Sequence, residues 1–219
     1  MKIDEKTISV LKNFAIISPS ILIKEGNVLQ TISPTKTILA KAIVATDFPK
    51  RFALYNLTKF LGCLSLVNDP NLEFTDTHVI ISDNANTIVN FTYTDESSIK
   101  VPPEKAIKLP SKDVCVKLSD GSFKEIIRAS GALQLPEIAI TGDGSKILIQ
   151  AIDSKNPSGD VYSIAIGETD KIFRAIFKTE NIIKIISGSY EVEISSQGLS
   201  YFRGDDCEYW IAVEASSTF

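Results

Sequence analysis

The sequence predicts an α+β protein built from two pseudo-repeated domains, each with two helices packed on antiparallel sheets. Two observations carry this. Leu11 to Ser33 and Phe123 to Asp153 share one order of parts: an apolar-faced helix, a small-residue break, a strand, a tight turn and a strand. Their offset of roughly 112 residues is about half of the 219-residue chain, as internal duplication requires. The later parts echo too, because FALYNLTKFLGCLSLV from Phe52 and FRAIFKTENIIKIISG from Phe173 are each a strand running into a helix. β-hairpins follow in both copies. The length accommodates two domains of about 100 residues, each large enough to bury a core.

In the first copy, residues 2–17 have helical periodicity, with Ile8, Val10, Leu11, Phe14 and Ile17 on one half of the wheel and Lys6, Ser9, Lys12 and Asn13 on the other. Pro19 ends this helix. Ile21 to Lys24 and Val28 to Ile32 are predicted to pair as a hairpin about Glu25-Gly26-Asn27, a turn suited to left-handed backbone. Thr37 to Ala45 and Phe52 to Tyr55 read as strands. A second helix over 56–67 places Phe60, Leu64 and Val67 inward and Lys59, Gly62 and Ser65 outward. Leu72 to Thr94 is mostly strand, with turns at Asp76-Thr77 and Asp83 to Asn86. Asp95 to Lys112 contains Pro102, Pro103 and Pro110 and has neither helix nor strand period, so the division expected is 1–100, a linker over 101–112, and 113–219.

The second copy opens with a strand at Val114 to Leu118. A helix over 122–131 follows, with Phe123, Ile126 and Ile127 inward and Lys124 and Arg128 side by side outward at i and i+4. Pro136 to Thr141 and Lys146 to Ile152 form a hairpin around Gly142-Asp143-Gly144, and Val161 to Ile166 and Ile172 to Phe177 add strands. The last helix is predicted over 178–188, with Ile182, Ile183 and Ile186 packed and Asn181 and Lys184 opposite. Tyr190 to Ile194, Leu199 to Arg203 and Glu208 to Glu214 close the chain as a sheet, the last with the alternation of a half-buried strand.

Net charge is −4, which alone argues against a protein that coats nucleic acid. Its distribution says more. The four predicted helices hold eight basic residues (Lys2, Lys6, Lys12, Lys59, Lys124, Arg128, Lys178, Lys184) against four acidic ones (Asp4, Glu5, Glu125, Glu180). Since the whole chain has 23 basic and 27 acidic residues, the remainder carries fifteen against twenty-three. Positive helices on an acidic body suit a polyanion held by its phosphates, weakly, without sequence preference and with strong salt dependence.

Catalytic chemistry finds little support. The single His78 excludes a His-based triad or a multi-His metal centre, and Cys63, Cys115 and Cys207 are too far apart for a zinc site or a disulfide framework. Gly142-Asp143-Gly144-Ser145 lies between two strands and lacks the Gly-Lys-Ser/Thr ending of a phosphate loop. Asp143, Asp205 and Asp206 are the carboxylates a hydrolase reading would have to use, and Asp205-Asp206 reads as a solvated turn. Phe91, Tyr93, Tyr201, Phe202 and Trp210 offer an alternative function, a single-stranded nucleic-acid-binding protein that stacks bases on sheet aromatics. No apolar run approaches the ~20 residues of a membrane span, and the reading is a cytoplasmic chain with reduced thiols.

LKNFA (Leu11 to Ala15), FLGCLSLVND (Phe60 to Asp69), GALQLPEIAIT (Gly131 to Thr141) and YWIAVEASST (Tyr209 to Thr218) resemble, in order and over both halves, the DNA polymerase sliding clamps of T-even-type bacteriophages. The resemblance implies the DNA-clamp (processivity) fold and a non-enzymatic role with no cofactor and no metal. It further implies a homotrimer, in which subunits join head to tail into a ring around double-stranded DNA and tether the replicative DNA polymerase. In such a ring helices line the hole, so Lys6, Lys12, Lys59, Lys124, Arg128, Lys178 and Lys184 are the DNA-contact candidates it supplies. It also implies an apolar pocket between the two domains for partner tail peptides, placed here at Ile107, Leu109, Val213 and Ala215. An ATP-dependent clamp loader and transcription factors are further partners it implies, and the cytoplasm of an infected bacterial host cell is the setting.

Overall fold

The computed structural model describes residues 1–83 and 86–219. Residues 84 and 85, inside the predicted turn Asp83 to Asn86, lie outside the described residues. The chain divides into two compact units, Met1–Glu104 and Lys105–Phe219.

The first unit opens with α1 (Glu5–Ile17), started by Asp4, whose side chain accepts the Thr7 N–H at 2.9 Å. Thr46 Oγ1 donates to the same carboxylate at 2.5 Å and ties the helix start to a strand. The elements β1 (Ile21–Ile23), β2 (Gly26–Ile32), β3 (Ile38–Phe48), β4 (Phe52–Leu54), α2 (Leu57–Leu66), β5 (Asn71–Phe74), β6 (His78–Ser82) and β7 (Ile88–Thr92) follow. β5, β6 and β7 form an antiparallel meander in that order. β2 pairs with β3, and the predicted pairing of β1 with β2 is absent: the β1 ladder is to β4, from Ile21 opposite Leu54 to Ile23 opposite Phe52. The cause is local. Gly26 takes φ +102° at the first residue of β2, and the β2–β3 register slips between Gly26 and Val28, so β2 leaves the turn out of line with β1.

In the second unit β8 (Val114–Leu118) leads into α3 (Asp120–Ala132), capped by Ser119 accepting the Ser122 N–H. Next come β9 (Glu137–Asp143), β10 (Lys146–Ile152), β11 (Tyr162–Glu168), β12 (Ile172–Lys178), α4 (Thr179–Ile182), β13 (Tyr190–Ser195), β14 (Leu199–Arg203) and β15 (Cys207–Ala212). One antiparallel sheet runs β11-β10-β9-β12, and β8, β13, β14 and β15 pair consecutively. The predicted hairpin of β9 and β10 is present, with Gly144 at φ +87° in its turn.

Duplication is visible down to single hydrogen bonds. The Leu57 N–H, at the start of α2, donates to Pro19 O at 2.7 Å, and the Thr179 N–H, at the start of α4, donates to Pro136 O at 2.9 Å. Each proline lies between the first helix of its unit and the strand that follows. A backbone group that a helix start would leave orphaned is thus satisfied in the same way twice.

Both units put their helices on the sheet with one face buried. Val10, Leu11, Phe14 and Ile17 of α1 and Leu57, Phe60 and Leu64 of α2 are buried, and Phe60 meets Phe91 of β7 edge-on at 5.4 Å. Phe123 and Ile126 do the same for α3, and each such side chain contributes roughly 1.5–3 kcal/mol of burial. Three helical faces differ from the sequence reading, the mildest in α3, where Ile127, placed inward, is only half-buried. In α1 Asn13 is buried while Ile16 is exposed and Ile8 only half-buried, so the core stripe is rotated toward Thr7 and Asn13.

The last helix departs further. α4 is a single turn of four residues rather than a helix over 178–188, with Lys178 at its N-cap making no capping side-chain bond. β-branched isoleucines at 182, 183, 185 and 186 lose rotamer freedom in a helix, and Ser187-Gly188-Ser189 offers no continuation. The chain therefore changes course after one turn. Ile182, Ile185 and Asn181 are buried, whereas Ile183, predicted to pack, is exposed and Ile186 half-buried.

Candidate nucleic-acid interface

Helix packing decides which cations are displayed. In α1 the residues at 6, 9, 12 and 16 recur at spacings of three and four, one exposed stripe opposite the buried Leu11 and Phe14. Lys6 and Lys12 therefore stand on the side of α1 away from the sheet. Lys59 has the same relation to α2, beside the exposed Gly62, and Lys124 and Arg128 to α3. Lys178 and Lys184 were placed on a helix by the sequence, and the structure corrects both: Lys178 is the exposed N-cap of α4, and Lys184 follows its end and is half-buried.

Not all of these charges are equally available. Lys124 Nζ is 2.6 Å from Asp120 Oδ2, one turn earlier on α3, and Lys2 pairs with Asp69. By contrast Lys12, Lys59, Arg128 and Lys178 enter no ion pair among the described residues. Lys178 lies beside a cleft of about 740 Å³ that also holds Lys155, Glu137, Asp153, Glu180 and Glu214. Carboxylates outnumber cations there, so it is not an anion pocket. Arg128 lines a smaller depression with Glu125, Ala129, Ala132, Leu133 and Tyr162. Tyr162 donates to Glu125, which raises the tyrosine pKa from its ordinary value, with burial adding to the effect.

Each helix also ends on or beside an exposed aliphatic side chain: Ile16, Leu66 and Leu133, which the sequence reading did not single out, and Ile183, which it placed in the core. Within a single helix each reads as an accident of the period, and their recurrence appears only once the four helix ends are known.

The remaining candidates scatter. Ile107 and Leu109 are half-buried in the extended segment before β8, Val213 is buried just past β15, and Ala215 is exposed. Asp143 accepts the Ser145 and Lys146 N–H groups at 2.8 and 2.7 Å, which hold its carboxyl below the ordinary value and commit it to its turn. Among the aromatics, Phe202 is buried, Phe91 packs on Phe60 and Tyr93 on Phe52. Tyr201 and Trp210 stack at 4.9 Å on β14 and β15, but Tyr201 donates to Glu208 and sits opposite Glu193 on β13, an acidic setting for any phosphate.

Residues 2–100 match the model of the DNA polymerase processivity factor family, and residues 114–215 that of the gp45 sliding clamp, C terminal. The chain is 32% identical to the sliding clamp of Vibrio phage KVP40, with 98% of this chain and 100% of that protein covered. It belongs to the sliding-clamp family. The sliding clamp of Escherichia phage RB69 is 33% identical, over 100% of this chain and 99% of that one. Among solved structures, the proliferating cell nuclear antigen of Thermococcus kodakaraensis superposes with a TM-score of 0.69 at 14% identity, over 96% of this chain and 98% of that one. The doubled module is thus the DNA-clamp fold, with exposed candidate cations on α1, α2 and α3 and at the N-cap of α4.

Proposed function

We propose that this chain is the processivity clamp of a bacteriophage replisome: three copies close head to tail around duplex DNA and tether the replicative polymerase, with no chemistry of their own. The observation that carries the reading is the full-length match to phage sliding clamps, joined to a doubled module whose helices turn cations away from the sheets. Lys12, Lys59, Arg128 and Lys178 supply the unpaired phosphate contacts, and Lys6, Lys124 and Lys184 add to the field.

Ring closure needs two different surfaces on each copy, since a head-to-tail contact is heterologous. Two sheet ends supply candidates. β7 ends the β5-β6-β7 meander and β11 ends the β11-β10-β9-β12 sheet. β7 carries no charged residue and β11 only Glu168, and neither contains proline. Edge strands that must stay single are normally charged, short or covered. Two sparsely charged edges, one in each unit, support pairing of β7 in one copy with β11 in the next.

Partner peptides from the polymerase and from an ATP-dependent loader would anchor at Ile107, Leu109, Val213 and Ala215, a site that transcription factors would share. The setting is the cytoplasm of an infected bacterial cell. No helix among the described residues is long and apolar enough to cross a membrane.

The test is the solution mass joined to a functional assay. Sedimentation should give a species of three times 24.0 kDa, about 72 kDa, and the protein should lengthen primer extension on circular templates only with loader and ATP. A monomer at every concentration sinks the ring.

A further inference from the structure

The last residues of the chain do something the duplicated module does not require. After β15 the backbone crosses to the edge of β12 that faces away from β9. There the Glu214 N–H donates to Ile176 O at 2.8 Å, and the Ile176 N–H donates to Ser217 Oγ at 2.9 Å. The Arg174 N–H donates to Thr218 O at 2.8 Å, and the Thr218 N–H returns to Arg174 O at 2.9 Å. The Ser217 N–H folds back on Glu214 O at 3.0 Å and sets the turn.

The first unit begins the same crossing and then abandons it. The Thr94 N–H donates to Ala53 O on β4 at 3.0 Å, but the chain continues into the one-turn helix of Glu96–Ser98 and away toward the second unit. In the second unit, residues 214–218 stay on the strand.

Without them β12 would present unpaired N–H and C=O groups at Arg174 and Ile176, next to Ile172, which is 79% exposed. A bare seven-residue edge with an exposed isoleucine is a template for another chain. It would compete with β7 and β11, and an extra heterologous contact that does not close yields open-ended assemblies.

We propose that residues 214–218 form an edge-capping strap that shuts β12 against a second copy of this chain, confining self-association to the β7 and β11 edges. The proposal rests on the ring reading for what those two edges do, but its test compares two forms of the chain and does not need the ring to be present.

The experiment is sedimentation of the full-length protein beside a variant lacking Ser216–Phe219, over a wide concentration range, with near-UV circular dichroism to establish packing. The full-length chain should reach three copies and stop. The shortened chain should rise beyond three copies as concentration increases, and Ile172→Lys in the shortened background should return it to the full-length distribution by charging the bared edge. A second variant, Thr218→Pro, keeps the length while deleting one strap hydrogen bond and should shift in the same direction by less. A folded shortened chain, or a folded Thr218→Pro chain should the former not fold, with the mass distribution of the full-length protein overturns the proposal. If the full-length protein is a monomer throughout, the ring reading fails, while the strap is still judged by whether its loss produces heavier species.

Discussion

Triple substitution of Lys12, Lys59 and Arg128 by alanine separates phosphate contact from solvated decoration. All three are exposed, lie on different helices and enter no ion pair among the described residues, so their removal leaves no buried partner behind. Each cation that neutralises a phosphate adds about 0.9 to the slope of log K against log salt. If only one copy of each touches a phosphate at any instant in a ring, the slope falls by about 2.7. Between 50 and 200 mM salt, a fourfold change, the wild-type ring then loses about 40-fold more affinity than the variant. Fluorescence anisotropy of a labelled duplex, titrated at several salt concentrations, reads both slopes. Asp120→Asn supplies the opposite sign: it releases Lys124 from its carboxylate partner and should steepen the slope by up to about 0.9. Slopes for the triple variant and wild type within about 0.5 of each other, with equal mass and melting temperature, would refute the assignment.

Asp4→Ala removes the cap of α1 together with its link to Thr46 and should cost about 0.5–2 kcal/mol in chemical denaturation. Burial alone would raise the Asp4 pKa, but hydrogen bonds from Thr46 and Thr7 outweigh it and hold the value at about 2, below the ordinary 3.8. Its stabilisation is therefore full above about pH 4 and lost as pH falls through about 2, so wild type and Asp4→Ala should converge in stability at that acid end. Gly62→Ala meets open space on an exposed helix face and should stabilise by up to about 1 kcal/mol. Gly142→Ala would set its new carbon 2.5 Å from the Phe173 ring and 2.6 Å from Lys171 O, and should destabilise by about 1–3 kcal/mol. Ile126→Ala, at a fully buried site, should cost about 2–5 kcal/mol, whereas Ile183→Ala should stay within about 0.5 kcal/mol, and a large loss at Ile183 would return that residue to the core.

Local periodicity made much of the clamp readable. Phe60, Leu64 and Val67 lie inward and Lys59, Gly62 and Ser65 outward because helical spacing forces that division, and the same spacing exposed Lys12 and Arg128. What the sequence hid was long-range. β1 pairs with β4 about thirty residues away, and Ile176 bonds to Ser217 forty-one residues away; neither leaves a mark in a window of local pattern. α4 misled for another reason. Its isoleucines have helical spacing, but four β-branched side chains and an N-cap with no capping bond lower the helix below what one turn of packing supports. Lys124 shows the limit for the site itself, since spacing places it outward but does not reveal that Asp120 holds it.

If the proposed phosphate contacts hold, their weakness gives a reason for the proposed ring. Non-specific phosphate contacts at physiological salt give dissociation constants of about 10⁻⁴ to 10⁻⁶ M. With steered association near 10⁸ M⁻¹s⁻¹, a value of 10⁻⁵ M corresponds to release about a thousand times per second. A subunit held by Lys12, Lys59, Arg128 and Lys178 alone would leave DNA within about a millisecond, too soon to keep a polymerase in place. Stronger contacts would lengthen the dwell only by resisting movement along the duplex. Closure, as proposed, would separate the two demands: topology would set retention, and the contacts would need only to centre the duplex. In the proposed ring the acidic body would be an advantage, because its repulsion would discourage DNA from binding the outside, and the sparsely charged β7 and β11 edges would be the surfaces whose strength sets residence. Adding charge of one sign to both edges should therefore shorten retention on circular DNA far more than losing any single helix lysine.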